Sequence, residues 1–570
     1  MVRAVTSPAL RRTLVLAPLA LAAVVLVWHA WQYAFVTDDA YISFVFSRNL
    51  AEHGELTFNL GDPVEGYTNF LWTVILALAI KLGADPGPTS LVLGAACAVG
   101  TLVVTWRLMR RVLPAGSPWA YAPALLLACS SGFACWTSGG LETQLFTLLV
   151  TAAIERYIAA TAAGADVGAS VGPFRAMGVL LALAAMTRPE GLLVTALIGG
   201  HRLALNLMFE RRLVPRRGEL WALGGFLVIW APWFVWRWWY YGYPFPNTYY
   251  VKAHGEWARP RRGEPPLDQQ MWSHGGFYIK HWLEQSRLTW TALPALVGLL
   301  AAAPRTPRFA LTTFAALFLG VYGVYAASVG GDFMGLHRFI MPMFVLAAIV
   351  VVLGLAWLSE YAPRWAGVGL VVIVVGAFAY TQVGLTRSSL RDFPTAEEQK
   401  HGLDTPRFLI DYTEDRAAIG RAMAPCFRPD DLSIVGGAGA QPWFGRMRAY
   451  DVFGLVSERI AHEEPRSRAR AGHTKFARDS LLVDYDPTFV FSCYKISPTP
   501  DVSLGGCDGF WRGRGYEIVT MEIDGLQERV NRSRARVARR ERGAKLDAPD
   551  RYYTFLAKRE RQFTCPGRVK

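Results

Sequence analysis

Residues 11–39 read RRTLVLAPLALAAVVLVWHAWQYAFVTDD. Two arginines lead into a long apolar run, Leu14 to Trp31, and two aspartates follow it. About 20 apolar residues in a helix suffice to cross ~30 Å of hydrocarbon. No small-residue cleavage site precedes the acid pair, so the run is expected to remain as a first span and not to leave as a signal peptide. With Arg3 ahead of them, Arg11 and Arg12 predict a cytoplasmic start, which puts the aspartates outside.

The pattern recurs along the chain. Apolar stretches near 14–32, 88–106, 119–136, 142–160, 174–187, 190–208, 219–238, 288–303, 308–328, 338–358 and 365–385 predict about eleven spans. The stretch 174–187 is short for a crossing and is counted because alternation fails without it. The run 70–82 is shorter still and is expected to be re-entrant or to lie on the outer surface. With it placed there, the basic links Arg107/Arg110/Arg111, Arg211/Arg212/Arg216/Arg217 and Arg305/Arg308 all fall on the side of the N-terminus. Composition agrees with a multi-pass cell-membrane protein: of 570 residues 52% are hydrophobic and only 18% charged. The net charge of +14 resides in these links and in the tail, so no nucleic-acid partner is expected.

The outward links carry a different chemistry: TDDAYISF at 37–44, EGYTN at 65–69, SGGLET at 138–143, TRPEG at 187–191, YGYPFPNTYYVK at 241–252 and GGDFMGLHRF at 330–339. Ionisable side chains at span ends are costly unless they line a watery cavity or bind a ligand. Their concentration on one predicted face marks that face as the functional one.

DDAYISFVFSRNL at 38–50, followed by NLGDPVEGYTNFLW at 59–72, resembles the first extracytoplasmic loop of the C-type, polyprenyl-phosphate-sugar-dependent glycosyltransferases. With GGLETQLF at 139–146, TRPEG, PNTYYVK at 246–252 and GGDFMGLHRF, the set resembles the mycobacterial-type terminal arabinofuranosyltransferases. The resemblance covers about 30–345 and, more faintly, DVFGLVSERIAH at 451–462. It departs at the second glycine before Glu142, where a single one is expected. It implies an all-α polytopic membrane domain of the C-type glycosyltransferase fold over 1–385, with a catalytic outer loop at about 33–87. It further implies transfer of a sugar, arabinofuranose, from a polyprenyl-phosphate donor to an extracytoplasmic cell-envelope glycan. Mannose or another sugar is the alternative within the class. A transporter or flippase of lipid-linked sugar is the rival outside it, but internal repeats and midplane charges, expected of transporters, are missing from the sequence. A non-catalytic sensor of lipid-linked sugar is a third reading.

Such a transfer requires deprotonating an acceptor hydroxyl and stabilising an oxocarbenium-like centre while phosphate leaves. Asp38 and Asp39 are the candidate catalytic pair. One would be the base, the other would position it, hold a metal or cap the following helix, and the sequence leaves open which is which. The leaving phosphate needs cationic donors. Arg188 and Arg338, the latter beside His337, are candidates, with Lys252 as a third. Pairing of Arg188 with Glu190, or snorkelling of Arg338, is the structural alternative. Glu65, Tyr67, Asn69, Glu142, Asn247 and Tyr249 complete the candidate substrate-binding set. Asn247, after Pro246, is also ordinary turn chemistry. Asp332 could join Asp38 and Asp39 around a divalent cation, but the spacing is no metal signature and a cofactor stays optional.

From 386 to 570 the chain is polar, Arg-rich and without a span-length run, so an extracytoplasmic soluble domain of α/β or α+β type is expected. Strand-like runs at 432–437, 488–493, 516–523 and 552–558 accompany a helical stretch from Asp415 to Met423. Its task would be to bind or align a polymeric acceptor, or merely to cap the membrane half. Cys426, Cys493, Cys507 and Cys565 are disulfide candidates in an oxidising space, with three pairings open. The run Arg529 to Arg542 reads as a solvated helix.

Overall fold

The computed structural model describes residues 8–162, 167–360, 362–500, 503–526 and 551–569. The run Arg529 to Arg542 therefore lies outside the described residues, as does Arg3.

The chain opens with α1 (Pro8–Tyr33), the shorter helices α2 (Asp38–His53) and α3 (Phe70–Lys81), and then α4 (Pro86–Val112). A broken stretch follows as α5 (Ala122–Cys129) and α6 (Ser131–Cys135), then the long α7 (Thr143–Ala162), α8 (Val167–Thr187), α9 (Glu190–Glu210) and α10 (Arg217–Tyr241). After the short α11 (Asn247–Lys252) come α12 (Leu267–Gln285), α13 (Ala292–Leu300), α14 (Pro307–Ser328), α15 (Met341–Leu358) and α16 (Arg364–Arg391). Among the described residues, eight helices are long and apolar enough to cross a membrane. They correspond to eight of the eleven expected spans. The other three, 119–136, 174–187 and 288–303, fall on α5 with α6, on α8, whose apolar part is Val171–Thr187, and on the nine-residue α13. The run 70–82 forms the twelve-residue α3.

Local chemistry sets the helix ends. Asp85 caps α4 by accepting the Gly87 N–H at 2.8 Å, with Pro86 just inside the helix, and Gly54 in the left-handed region ends α2. Apolar helices in lipid gain little from burying more apolar surface, so close backbone approach matters. Helices α13 and α15 meet through Gly298 and Gly354; a Cβ on Gly354 would fall 1.8 Å from the Pro294 carbonyl oxygen. The core includes Trp72, Trp136, Tyr157, Phe133 and Tyr322, whereas Trp28, Trp31, Trp239, Trp290 and Trp365 are exposed. On a soluble protein such an apolar surface would be a liability; facing lipid it needs no cover.

Beyond α16 lie α17 (Ala396–Lys400), α18 (Pro406–Met423) and α19 (Ala440–Gly445), together with a five-stranded sheet. Its strands are β1 (Leu432–Val435), β2 (Arg448–Asp451), β3 (Phe489–Ser497), β4 (Tyr516–Glu522) and β5 (Tyr552–Lys558), in the order β2-β1-β3-β5-β4. The β1 pairings with β2 and β3 are parallel, and β5 is antiparallel to both β3 and β4. Strand β2, unforeseen in the sequence, is four residues of Arg-Ala-Tyr-Asp at a sheet edge, too short and too polar to show alternation.

Two disulfides, Cys426–Cys565 and Cys493–Cys507, staple this unit. The first joins residues 139 apart and the second residues 14 apart. The longer loop removes more entropy from the unfolded chain. Replacing Cys426 and Cys565 by serine should cost about 2–5 kcal/mol, and more than replacing Cys493 and Cys507. Equal melting temperatures for the two double variants would contradict that ranking.

Candidate active site

The outward links expected to carry chemistry meet at one end of the helical bundle. Helix α2 begins with the acid pair, α7 follows Glu142, and Arg188 lies in the turn between α8 and α9. Lys252 ends α11, while Asp332 and Arg338 lie in the link between α14 and α15. The opposite end of the bundle is basic: Arg111 pairs with Glu155 at 2.7 Å, and Arg202 with Glu219 at 2.6 Å.

Asp38 and Asp39 have different surroundings. Asp38 is buried, and its Oδ1 accepts the Ala440 N–H at 2.8 Å. Burial pushes its carboxyl up to about 6, opposed by the Ala440 N–H. Asp39 is only partly buried. Burial raises its pKa too, and the charges that pull it back are those of Arg338 and Lys252. Lys252 is solvent-accessible yet crowded by protein. Burial lowers its pKa while Asp39 and Asp332 raise it. Asp39, Lys252, Asp332 and Arg338 thus form one charge cluster, each close enough to act on the others' ionisation.

Arg338 donates to Asp332 at 3.1 Å, and its guanidinium lies 5.9 Å from the centre of the Trp136 ring. Trp136 is fixed in turn by its own N–H, which donates to the Gly335 carbonyl at 3.0 Å. Arg188 sits deeper. It donates to Glu142 at 2.9 Å and to Glu190 at 3.1 Å. Burial disfavours its charge, but Glu190 and Glu142 outweigh that and raise its pKa. Glu142 also accepts from Asn69 at 2.9 Å, and Asn69 donates to Ser43 on α2 at 3.0 Å. Burial would raise the Glu142 pKa, yet Arg188 and Arg338 bring it below the ordinary range. A chain of polar contacts thus runs from α2 through α3's leading residue to α7, α9 and the α8–α9 turn.

Several expected binders have partners outside this charge cluster. The Glu65 carboxylate is buried against Arg237 at 3.3 Å, and Tyr67 shares its hydroxyl with Tyr241 at 3.1 Å. Asn247 donates to the carbonyls of Gly454 and Leu455 at 2.7 and 2.9 Å, so it ties the 451–462 segment to the membrane half. Tyr249 is exposed and packs at a tilt on Phe245 with 4.6 Å between ring centres. His337 is buried with φ of 65°, edge-on to Tyr278 at 4.8 Å. Among the described residues, no group of three or more His, Cys, Asp or Glu side chains is arranged to hold a metal ion.

Sequence reasoning missed Arg237, Arg416, Trp443 and the glycine turn at 436–439. A lone arginine inside the aromatic run WFVWRWWYY at 233–241 is a signal of a buried partner. GGAGA at 436–440 is a signal of close backbone approach. The carboxy-terminal unit also touches the link that carries Asp332 and Arg338. Phe333 lies between Arg470, at 5.6 Å, and His473, at 4.7 Å, while burial holds His473 down at about 3.

No protein-family model matches the chain. It is 26% identical over 549 residues to the terminal beta-(1->2)-arabinofuranosyltransferase of Mycobacterium tuberculosis, covering 80% of this chain and 82% of that one. It is 24% identical over 418 residues to the protein of the same name from Corynebacterium glutamicum, covering 68% of this chain and 57% of that one. In structure it is similar to ArnT from Cupriavidus metallidurans bound to undecaprenyl phosphate, with TM-score 0.54 and 14% identity over 95% of this chain and 97% of that one. The chain carries several helices fit to span a membrane and has an ArnT-like fold, and the sequence relatives it matches are terminal arabinofuranosyltransferases.

Proposed function

We propose that this protein transfers arabinofuranose from a polyprenyl-phosphate donor to an extracytoplasmic glycan of the cell envelope, with Asp39 as general base. The observation that carries the reading is the division of labour in the acid pair: Asp38 is committed to Ala440, while Asp39 faces Arg338 and Lys252 from a partly accessible position. In the proposed step the Asp39 carboxylate takes the proton of an acceptor hydroxyl. The freed oxygen pair attacks the anomeric carbon, and the bond from that carbon to the phosphate oxygen breaks toward the donor phosphate. Polyprenyl phosphate leaves, and one displacement inverts the anomeric centre. Arg338 and Lys252 stabilise the negative charge that grows on the leaving phosphate. Arg188, already matched by two carboxylates, instead holds Glu142 and Asn69 in place.

The reading puts the N-terminus in the cytoplasm and the carboxy-terminal unit outside, on the side of the acid pair; the basic opposite end supports it. The test is transfer by purified protein in nanodiscs offered polyprenyl-phosphate arabinofuranose or polyprenyl-phosphate mannose. Arabinose transfer supports the reading. Mannose transfer alone would keep the reaction class and overturn the sugar, and donor flux across vesicles without transfer would replace the enzyme by a transporter.

A base whose pKa burial has raised must be ionised to act, so its rate is lost on the acid side at a higher pH than for an ordinary carboxylate. The acidic limb of kcat/KM should therefore fall above about 4. A limb at or below that value would exclude Asp39 as the titrating group.

A further inference from the structure

We propose that Asp38 is a positioning residue: its carboxylate clamps the first turn of α2 to the Gly437–Ala440 turn of the carboxy-terminal unit, and this clamp sets the direction of Asp39 relative to Arg338 and Lys252. The proposal rests on the assignment of Asp39 as the base.

The contact is unusually close. One oxygen of Asp38 accepts the Ala440 N–H at 2.8 Å. Its other oxygen lies against Gly437, where a Cβ would stand 3.0 Å from it and 2.7 Å from the Tyr412 hydroxyl. At Gly439 a Cβ would fall 2.0 Å from the Asp38 carbonyl oxygen and 2.5 Å from its carboxyl carbon. Glycine is required at 439 by space, because a side chain there would run into the first turn of α2. Arg416, buried and stacked 4.9 Å from Tyr412 and 4.3 Å from Tyr494, sets a positive charge near the Asp38 carboxylate.

The grip continues along the helix. Tyr41 packs on Phe444 with ring centres 5.2 Å apart, Phe44 on Trp443 at 5.9 Å, and Arg48 donates to the Trp443 carbonyl at 3.2 Å. Successive residues of a helix point about 100° apart. Fixing Asp38 against α19 therefore fixes the direction of Asp39. The carboxy-terminal unit is then part of the catalytic apparatus and not only a cap.

The experiment compares Asp38→Asn, Asp38→Ala, Gly439→Ala and Asp39→Asn in the full-length protein in nanodiscs. It reads kcat and KM for polyprenyl-phosphate arabinofuranose, with undecaprenyl phosphate binding as the check on folding. Asparagine keeps a carbonyl oxygen for the Ala440 N–H, so Asp38→Asn should stay within about tenfold of the parent in kcat. Misplacing a reacting group by about 1 Å costs on the order of 100-fold, so Asp38→Ala and Gly439→Ala should lose about that in kcat with KM little changed. Loss in Asp38→Asn as deep as in Asp39→Asn would overturn the proposal, because the Asp38 charge would then be doing chemistry. Full activity in Asp38→Ala would also overturn it. If Gly439→Ala does not bind undecaprenyl phosphate, the contrast between the two Asp38 variants decides alone. Retained transfer in Asp39→Asn would sink the base assignment, an outcome read on a different variant.

Discussion

Asp39→Asn should reduce sugar transfer by at least about 1,000-fold, within the range of about 100- to 10,000-fold that positioned general bases contribute. Asparagine matches the carboxylate in shape but cannot accept the proton. Because Arg338 and Lys252 remain, binding of undecaprenyl phosphate should be retained or tightened by the loss of one negative charge. Single-turnover transfer and equilibrium lipid binding, measured on the same preparation, check both halves. A variant that turns over within tenfold of the parent ends the base assignment, and a variant that loses binding in proportion to rate points to a role in holding the donor.

The largest stability loss is expected from Arg188→Met. The guanidinium and both of its carboxylate partners are buried, each side chain being less than 10% exposed. Removing one member of such a network leaves charge uncompensated, at a cost of about 3–5 kcal/mol. The pH dependence follows from Glu142, whose pKa is held below the ordinary value. A depressed carboxylate contributes stability that is present at neutral pH and is lost as pH falls through its folded pKa. The parent should therefore soften in acid, and the difference between parent and Arg188→Met should shrink there. Adding Glu190→Gln to Arg188→Met should restore part of the loss by removing one of the stranded charges. Unchanged melting of Arg188→Met in detergent, compared with the parent, would rule out this account of the network.

The membrane fold was legible because its signal is coarse. A span is read from about 20 residues of composition. Where that signal fails, the structure departs from simple spans: α5 and α6 break at Ser130, and α13 has nine residues. Candidate residues were legible as a set because acids, arginines and a lysine at span ends are rare. Their partners were not. Nothing local in TRPEG decides whether Arg188 meets a ligand or Glu142, which lies 46 residues earlier, and nothing in EGYTN betrays Arg237. The division between Asp38 and Asp39 depends on a hydrogen bond to a residue 402 positions away, beyond the reach of any window on the sequence.

That separation of 402 residues also sets an order of events at birth. At a synthesis rate of about 5–20 residues per second, on the order of 20–80 s pass between emergence of the acid pair and emergence of the turn that grips it. During that interval α2 has no α19 to lie against. A nascent chain that has made all its apolar helices is thus still without the contact that finishes the first turn of α2, and a segment made late completes one made early.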